Sequence, residues 1–158
     1  MRLREATAAD AELLFDWVNR PDSVSEKLCT NHPIPWATHL EWLATRLEDK
    51  RAAIWIAEQR GRAIGQARVQ NAGVGLEVDI YVLAEGRRRG LGRRILGAVA
   101  TKCAARWPGT PLIAKVKRDN HASQRLFAVA GYTPEEQNTD HVMFVLSPPS
   151  RSGVDQRG

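Results

Sequence analysis

The amino-acid sequence predicts one α/β domain, a mixed and mostly antiparallel sheet flanked by helices. Three observations carry this. The chain has 158 residues, which suits one domain with one core. Segments of strand-like pattern are interspersed with segments whose apolar residues recur at helical spacing. The strand pattern Leu76–Leu83 is joined to the strand pattern Leu112–Lys117 by a loop and a helix, and such a crossover favours parallel neighbours.

Each element has its own signal. The opening "MRLREAT" alternates weakly and reads as an edge strand. Thr7 can cap the next helix, with Asp10 three residues on as a capping-box variant, and Leu13, Leu14, Trp17 and Val18 form its apolar stripe. "NRPDSVSEKLCTNHPIP" holds three prolines and little periodicity. It reads as a long connection, and long connections inside compact domains are often functional. A second helix begins at Trp36, where Trp36, Leu40, Leu43 and Leu47 recur at helical spacing and place that face in the core. "AAIWIAEQ" and "AIGQARVQ" flank Arg60-Gly61-Arg62, a hairpin signal, and "NAGVG" is the next turn. In "LEVDIYVL" the alternation is strict: Val78, Ile80 and Val82 on one face, Glu77, Asp79 and Tyr81 on the other. After an arginine–glycine loop, Leu91, Ile95, Ala98, Val99 and Cys103 form a helical stripe that Trp107-Pro108-Gly109 ends. "PLIAKVK" is a strand, "RDNHASQRLFAVAGY" a short helix closed by Gly131, and "HVMFVLS" the last strand. The polar tail 148–158 is expected to be disordered, which leaves 1–147 as the domain. No internal repeat and no dividing linker is evident.

Composition narrows the function. Hydrophobic content of 43% and charged content of 26% are ordinary for a globular protein. The net charge of +5 and sequence pI of about 9.7 admit nucleic acid, a membrane surface or an anionic small ligand. The arginines crowd into one segment rather than along an extended face, which favours a local anion site over a nucleic-acid footprint. Cys29 and Cys103 make no disulfide framework and no metal site is expected. With no signal-peptide pattern, a reduced cytoplasmic setting is the expectation, and no apolar stretch is long enough to span a bilayer.

The crowded segment is "EGRRRGLGRRIL", Glu85 to Leu96. It joins a strand to a helix. A helix N-terminus presents unpaired N–H groups and the positive end of its dipole. Glycines let that backbone approach a ligand, and arginines match phosphate geometry. A phosphate or pyrophosphate site follows. The Gly-Lys-Ser/Thr ending of a P-loop is missing, and so is the third glycine of the dinucleotide fingerprint. On this stretch alone, a basic helix start with no ligand stays open.

A second motif adds to the first. Arg87-x-x-Gly90-x-Gly92 resembles the signature of the GNAT family of N-acetyltransferases, and "NHASQRLFAVAGY" resembles that family's second motif through Asn120, Ser123, Phe127, Gly131 and Tyr132. The resemblance covers roughly residues 2 to 146. It implies a sheet of about six to seven strands, with a central parallel pair splayed around the cosubstrate acetyl-CoA. It places the pyrophosphate on the backbone from Arg87 to Arg93, through Arg88, Arg89, Gly90, Leu91 and Gly92, with Val82, Leu83, Asn120, Ser123 and Phe127 also lining the cofactor. Side chains of Arg88, Arg89, Arg93 and Arg94 either reach the 3′-phosphate or stay solvated. Asn120 contacts the pantetheine, caps its helix, or both.

The implied reaction is direct attack of an amine on a thioester. The ammonium, with reference pKa near about 10, must lose a proton, the developing oxyanion must be stabilised, and the thiolate must leave. The resemblance puts the oxyanion donor on a backbone amide near Tyr81 or Val82. Glu77 is the first candidate base and Asp79 the second; charged residues on a half-exposed strand can equally be only solvated. The family's usual tyrosine acid is Phe127 here, which has no proton to give. Tyr81, Tyr132 or water then substitutes, or the step needs no dedicated acid.

The first third of the chain is left to hold the acceptor. Its "NRPDSVSEKLCTNHPIPWATHLEWL" and "IGQARV" are similar to the branch that acetylates amino-sugar nucleotides, with His39, Trp42 and Arg68 lining the pocket. His39 can equally be a surface or capping residue, and Trp42 ordinary core. The opening of that stretch also resembles the ribosomal-protein N-terminal acetyltransferases. The expected partner is a small-molecule amine, without nucleic acid or membrane, bound by a monomer or homodimer. A catalytically dead acyl-CoA sensor, suggested by Phe127, is the alternative from another class.

Overall fold

The computed structural model describes residues 1–24, 33–87 and 89–150. Arg88, the middle of the long connection with Cys29, and the tail from 151 onward lie outside the described residues.

Among the described residues, seven strands form one sheet: β1 (Arg2–Glu5), β2 (Ala53–Gln59), β3 (Arg62–Asn71), β4 (Leu76–Val82), β5 (Leu112–Lys117), β6 (Thr133–Gln137) and β7 (His141–Leu146), in the order β1-β2-β3-β4-β5-β7-β6. The described residues also form the helices α1 (Ala11–Val18), α2 (Pro21–Val24), α3 (Trp36–Glu48), α4 (Leu91–Arg106) and α5 (His121–Val129). All neighbours are antiparallel except β4 and β5, which the α4 crossover makes parallel. That pair is short. Leu76 faces Leu112 and Glu77 faces Ile113, and no further rung is paired. From Val78 onward β4 leaves its neighbour, which opens a wedge in the middle of the sheet, as the sequence led us to expect.

Local chemistry explains the well-read elements. Thr7 and Asp10 make a reciprocal capping box, Asp10 accepting from Thr7 N at 2.9 Å. Arg60 (φ 52°) and Gly61 (φ 75°) both adopt the left-handed conformation that a two-residue hairpin turn requires. Gly131 (φ 97°) follows the end of α5. Asn19 closes the two ends of the long connection, its Oδ1 accepting from Ile34 N at 2.6 Å and its Nδ2 donating to Ile34 O at 3.1 Å.

The core has two layers. One lies under α4 and α5 and includes Trp55, Val69, Val78, Ile95, Leu96, Val99 and Phe127. The other lies under α1 and α3 and includes Leu14, Trp17, Leu43, Ile54, Ile56 and Tyr81. Alternation along β4 divides it between them: Val78 and Val82 go to the first and Tyr81 to the second.

Three expectations need correcting. The apolar stripe of α3 is rotated by roughly a quarter turn. His39 and Leu43 are the buried line, at 2% exposure each, whereas Trp36, Leu40 and Leu47 stand at 40%, 39% and 39%. His39 wins the inward place because its Nε2 donates to Ala11 O at 2.9 Å, which satisfies a buried polar atom. Strand β6 went unread because "TPEEQ" carries a proline and two glutamates. It is an edge strand with a register shift between Pro134 and Glu136, where proline is tolerated. The long connection also contains α2, which begins on Pro21.

Candidate active site

The wedge between β4 and β5, the loop after β4 and the first turn of α4 converge. Gly90 is the N-cap of α4, at φ 75°, and offers no side-chain cap. The first-turn amides of α4 therefore keep their donors for something else. A Cβ built at Gly90 meets nothing within 4 Å, so the backbone there faces open space. Arg89, Arg93 and Arg94 are exposed around it. An αL N-cap without a side-chain cap, open space and exposed guanidiniums nearby fit a pyrophosphate. Gly92 does a different job. A Cβ there would lie 3.0 Å from Leu126 Cδ2, so this glycine lets α4 and α5 pack rather than admitting a ligand.

Arg87 reaches the other way. Its Nε donates to Val82 O at 2.9 Å, its Nη2 pairs with Asp22, and its guanidinium carbon lies 5.6 Å from the centre of the Tyr81 ring. The side chain thus ties the loop back to β4 and α2. Tyr81 Oη donates to both carboxylate oxygens of Asp22, at 3.1 and 3.2 Å. Burial first, then the hydrogen bond to Asp22 and its charge, push the Tyr81 phenol above its ordinary pKa. Asp22 is the participant that the sequence reading missed. Its one signal was an acid in the first turn of a helix opened by proline.

On the face of the sheet under α1 and α3, cross-strand rungs pair Gln66 with Tyr81, Arg68 with Asp79, and Gln70 with Glu77. Arg68 Nη2 lies 2.6 Å from Asp79 Oδ2, and the Arg68 guanidinium carbon sits 5.1 Å from the centre of the Trp42 ring. Trp42 in turn stacks on His39, with centroids 5.9 Å apart. Trp42 and Arg68, both expected at the acceptor pocket, lie together, and Asp79, expected only as a candidate base, joins them through Arg68. His39 is not a lining residue. It is buried behind Trp42 and Trp36, bonded to α1, and supports the cluster from within. Glu77 stands on the last paired rung of β4 and β5, at the closed end of the wedge.

The residues of the second motif turn out to be packing residues. Phe127 is buried, edge-on to Tyr132 at 5.1 Å and stacked on Phe144 at 6.2 Å. Tyr132 is buried beside it, its Oη has no hydrogen-bond partner, and burial holds its phenol well above the usual range. A phenol shut in the core is not placed to protonate a leaving group. Asn120 caps α5, its Oδ1 accepting from Ser123 N at 3.1 Å.

A cavity of about 390 Å³ lies elsewhere. Cys103, Leu112, Leu146 and Pro148 line it, toward the end of the sheet where β4 and β5 are joined. It is mostly apolar and touches none of the signature residues. Among the described residues, no group of three or more His, Cys, Asp and Glu could hold a metal, and no helix is long and apolar enough to cross a membrane.

Comparison with known proteins agrees with this geometry. No curated protein matches the sequence significantly. Among solved structures, a ribosomal-protein-alanine N-acetyltransferase from Brucella melitensis superposes with a TM-score of 0.79 at 23% identity, over 93% of this chain and 99% of that one. The aminoglycoside acetyltransferase AAC(6')-Ib in complex with coenzyme A gives 0.78 at 20%, over 92% and 93%. A putative acetyltransferase from Salmonella typhimurium, yncA, with its cofactor acetyl-CoA, gives 0.77 at 20%, over 99% and 98%. Residues 1–133 match the model of the acetyltransferase (GNAT) domain, and the chain belongs to that family. It is an acetyltransferase with acetyl-CoA as cosubstrate.

Proposed function

We propose that the chain, through a unit spanning residues 1–147, moves the acetyl group of acetyl-CoA to a primary amine on an amino sugar, free or nucleotide-linked. The acceptor docks against Trp42, Arg68 and Asp79. Acetyl-CoA supplies an activated acyl group, and the pyrophosphate fits the backbone from Arg89 to Gly92.

The observation that carries this reading is the Arg68–Asp79 pair beside Trp42 on the α1/α3 face. The pair is partly exposed, at 26% and 55% of the two side chains, so a ligand can compete for it. The carboxylate can take an ammonium or a hydroxyl. The guanidinium can take a hydroxyl or a phosphate, and the Trp42 ring adds apolar surface beside them. A neutral pair offers both polarities within one small patch, which fits a polyfunctional sugar better than a plain peptide terminus. Glu77 and Asp79 lie on the same face as Tyr81. By strand rise Glu77 is roughly 17 Å from Val82, so it serves an amine attacking there only through a chain of waters.

A thermal-shift screen with CoA present, followed by turnover, tests the reading. The probes are a nucleotide-linked amino sugar, kanamycin and a peptide with a free N-terminal alanine. Stabilisation and turnover with either sugar support it. Efficient acetylation of the peptide alone overturns the acceptor and leaves the acetyltransferase assignment standing.

A further inference from the structure

Asp22, Tyr81 and Arg87 come from α2, the end of β4 and the loop that follows, and they meet in one hydrogen-bonded group. We propose that Tyr81 and Asp22 form a proton relay that deprotonates the acceptor amine. The proposal rests on the acetyl-transfer reading above and names the proton path within that same site.

Position argues first. Tyr81 immediately precedes Val82, where β4 ends and the wedge is open. The other carboxylates on this face are less well placed. Glu77 is at the closed end, and Asp79 is held by Arg68 at 2.6 Å. Asp22 arrives from a different element, at the reacting end.

Direction argues second. The Tyr81 hydroxyl proton is directed to Asp22; of the two lone pairs on Oη one faces the Arg20 guanidinium and the other can accept a proton. In the step, one ammonium proton passes to Tyr81 Oη as the Tyr81 proton passes to an Asp22 carboxylate oxygen. The freed nitrogen lone pair attacks the thioester carbon and the carbon–sulfur bond breaks, its electron pair leaving on sulfur. A second nitrogen-bound proton then neutralises that thiolate. The proton on Asp22 leaves to water, since the carboxylate side chain is 36% exposed.

Charge argues third. The charged groups facing Tyr81 are Asp22 from α2, Arg20 from the turn after α1, and Arg87 from the loop after β4. Gln66 is its neutral neighbour on β3, and the Trp17 ring lies 6.0 Å away. Two guanidiniums offset the negative character that passes along the phenol during transfer, and Arg87 holds the Asp22 carboxylate in place. The pair also supplies proton chemistry where Phe127 and the buried Tyr132 supply none.

Asp22→Asn, Tyr81→Phe and their double variant test the relay. Each single change should lower kcat/KM for the amine about a hundredfold while the Kd for CoA stays near wild type. The double variant should be no worse than the worse single one, because the two act as a unit. Asp22→Glu should recover part of the rate. Multiplying losses, or full activity in Asp22→Asn, would leave Asp22 as a clip holding α2 to β4 and overturn the proposal. A second measurement needs no acceptor. The chain has two tyrosines, so ultraviolet titration in a Tyr132→Phe background reads Tyr81 alone. Its pKa should fall when Asp22→Asn removes the neighbouring negative charge, and an unmoved titration refutes the coupling. A wild type that acetylates none of the three probe amines would count against the acceptor reading, and the titration would still test the Tyr81–Asp22 coupling on which the relay depends.

Discussion

Arg68 and Asp79 stand opposite each other on one rung of β3 and β4, with Nη2 2.6 Å from Oδ2. The cation proposed to meet the acceptor and one of the candidate carboxylates are therefore one unit. Their alternation away from the α4 core puts them on the same face as Tyr81, with the Arg68 guanidinium over the Trp42 ring.

Arg68→Ala should raise KM for the acceptor about ten- to a hundredfold, the worth of one lost charge-assisted contact. CoA affinity should stay near wild type. The pair is partly exposed, so its loss should cost no more than about 1 kcal/mol of stability. A calorimetric titration and a melting curve separate the two effects. A large drop in Tm with an unchanged KM would make Arg68 a structural residue.

Gly90 and Gly92 should fail differently. At Gly90 the backbone is left-handed but the surrounding space is open. Asn tolerates that conformation better than other side chains, so Gly90→Asn should keep most of the stability and lose CoA affinity. Gly92→Ala should press on Leu126 and lower Tm through the α4–α5 contact. Equal CoA affinity in Gly90→Asn and wild type would remove this backbone from the cofactor site.

The contrast between these glycines shows what the sequence could convey. Wherever chemistry is local, it was legible: the Thr7–Asp10 box, the Arg60-Gly61 turn, the period-two pattern of β4 and the glycine-opened α4. The splay of β4 from β5 came through the family resemblance and not through periodicity. What depends on tertiary partners was hidden. Gly92 looked like a ligand glycine because Leu126 lies thirty-four positions away. His39 looked like a lining residue because its partner, Ala11 O, is on another helix. Asp22 sat in a stretch without periodicity, and only the fold brings it to Tyr81 and Arg87.

His39 should matter for stability and only indirectly for catalysis. It is buried, bonded to Ala11 O, and stacked against Trp36 and Trp42. His39→Ala leaves a cavity and an unpaired carbonyl, a cost of about 2–4 kcal/mol. Denaturant melts should show that loss, with CoA affinity retained at temperatures where the variant is folded. KM for the acceptor should rise as Trp42 loses its backing. A neutral effect on stability would contradict the buried placement.

The α4/α5 core should make the protein sensitive to alkali. Burial pushes the Cys103 thiol from its usual value of about 8.5 up to about 11, and it moves the Tyr132 phenol in the same direction. Both groups are neutral when protonated, and the folded state binds those protons more tightly than the unfolded chain does. The stabilisation is therefore fully present below the unfolded thiol's pKa. It fades as pH rises from about 8.5 towards about 11, as the unfolded thiol and then the buried one ionise. Tyr132 continues the loss at higher pH. Tm should accordingly hold up to about pH 8 and then fall with rising slope. Cys103→Ala should start from a lower Tm, because a small cavity replaces the sulfur. Its decline between pH 8.5 and 11, the window set by the thiol's usual and shifted values, should nonetheless be shallower, since one of the two titrating groups is gone. The same slope in both proteins would mean that Cys103 ionises as freely in the folded state as in the unfolded one, which is incompatible with a buried thiol on α4.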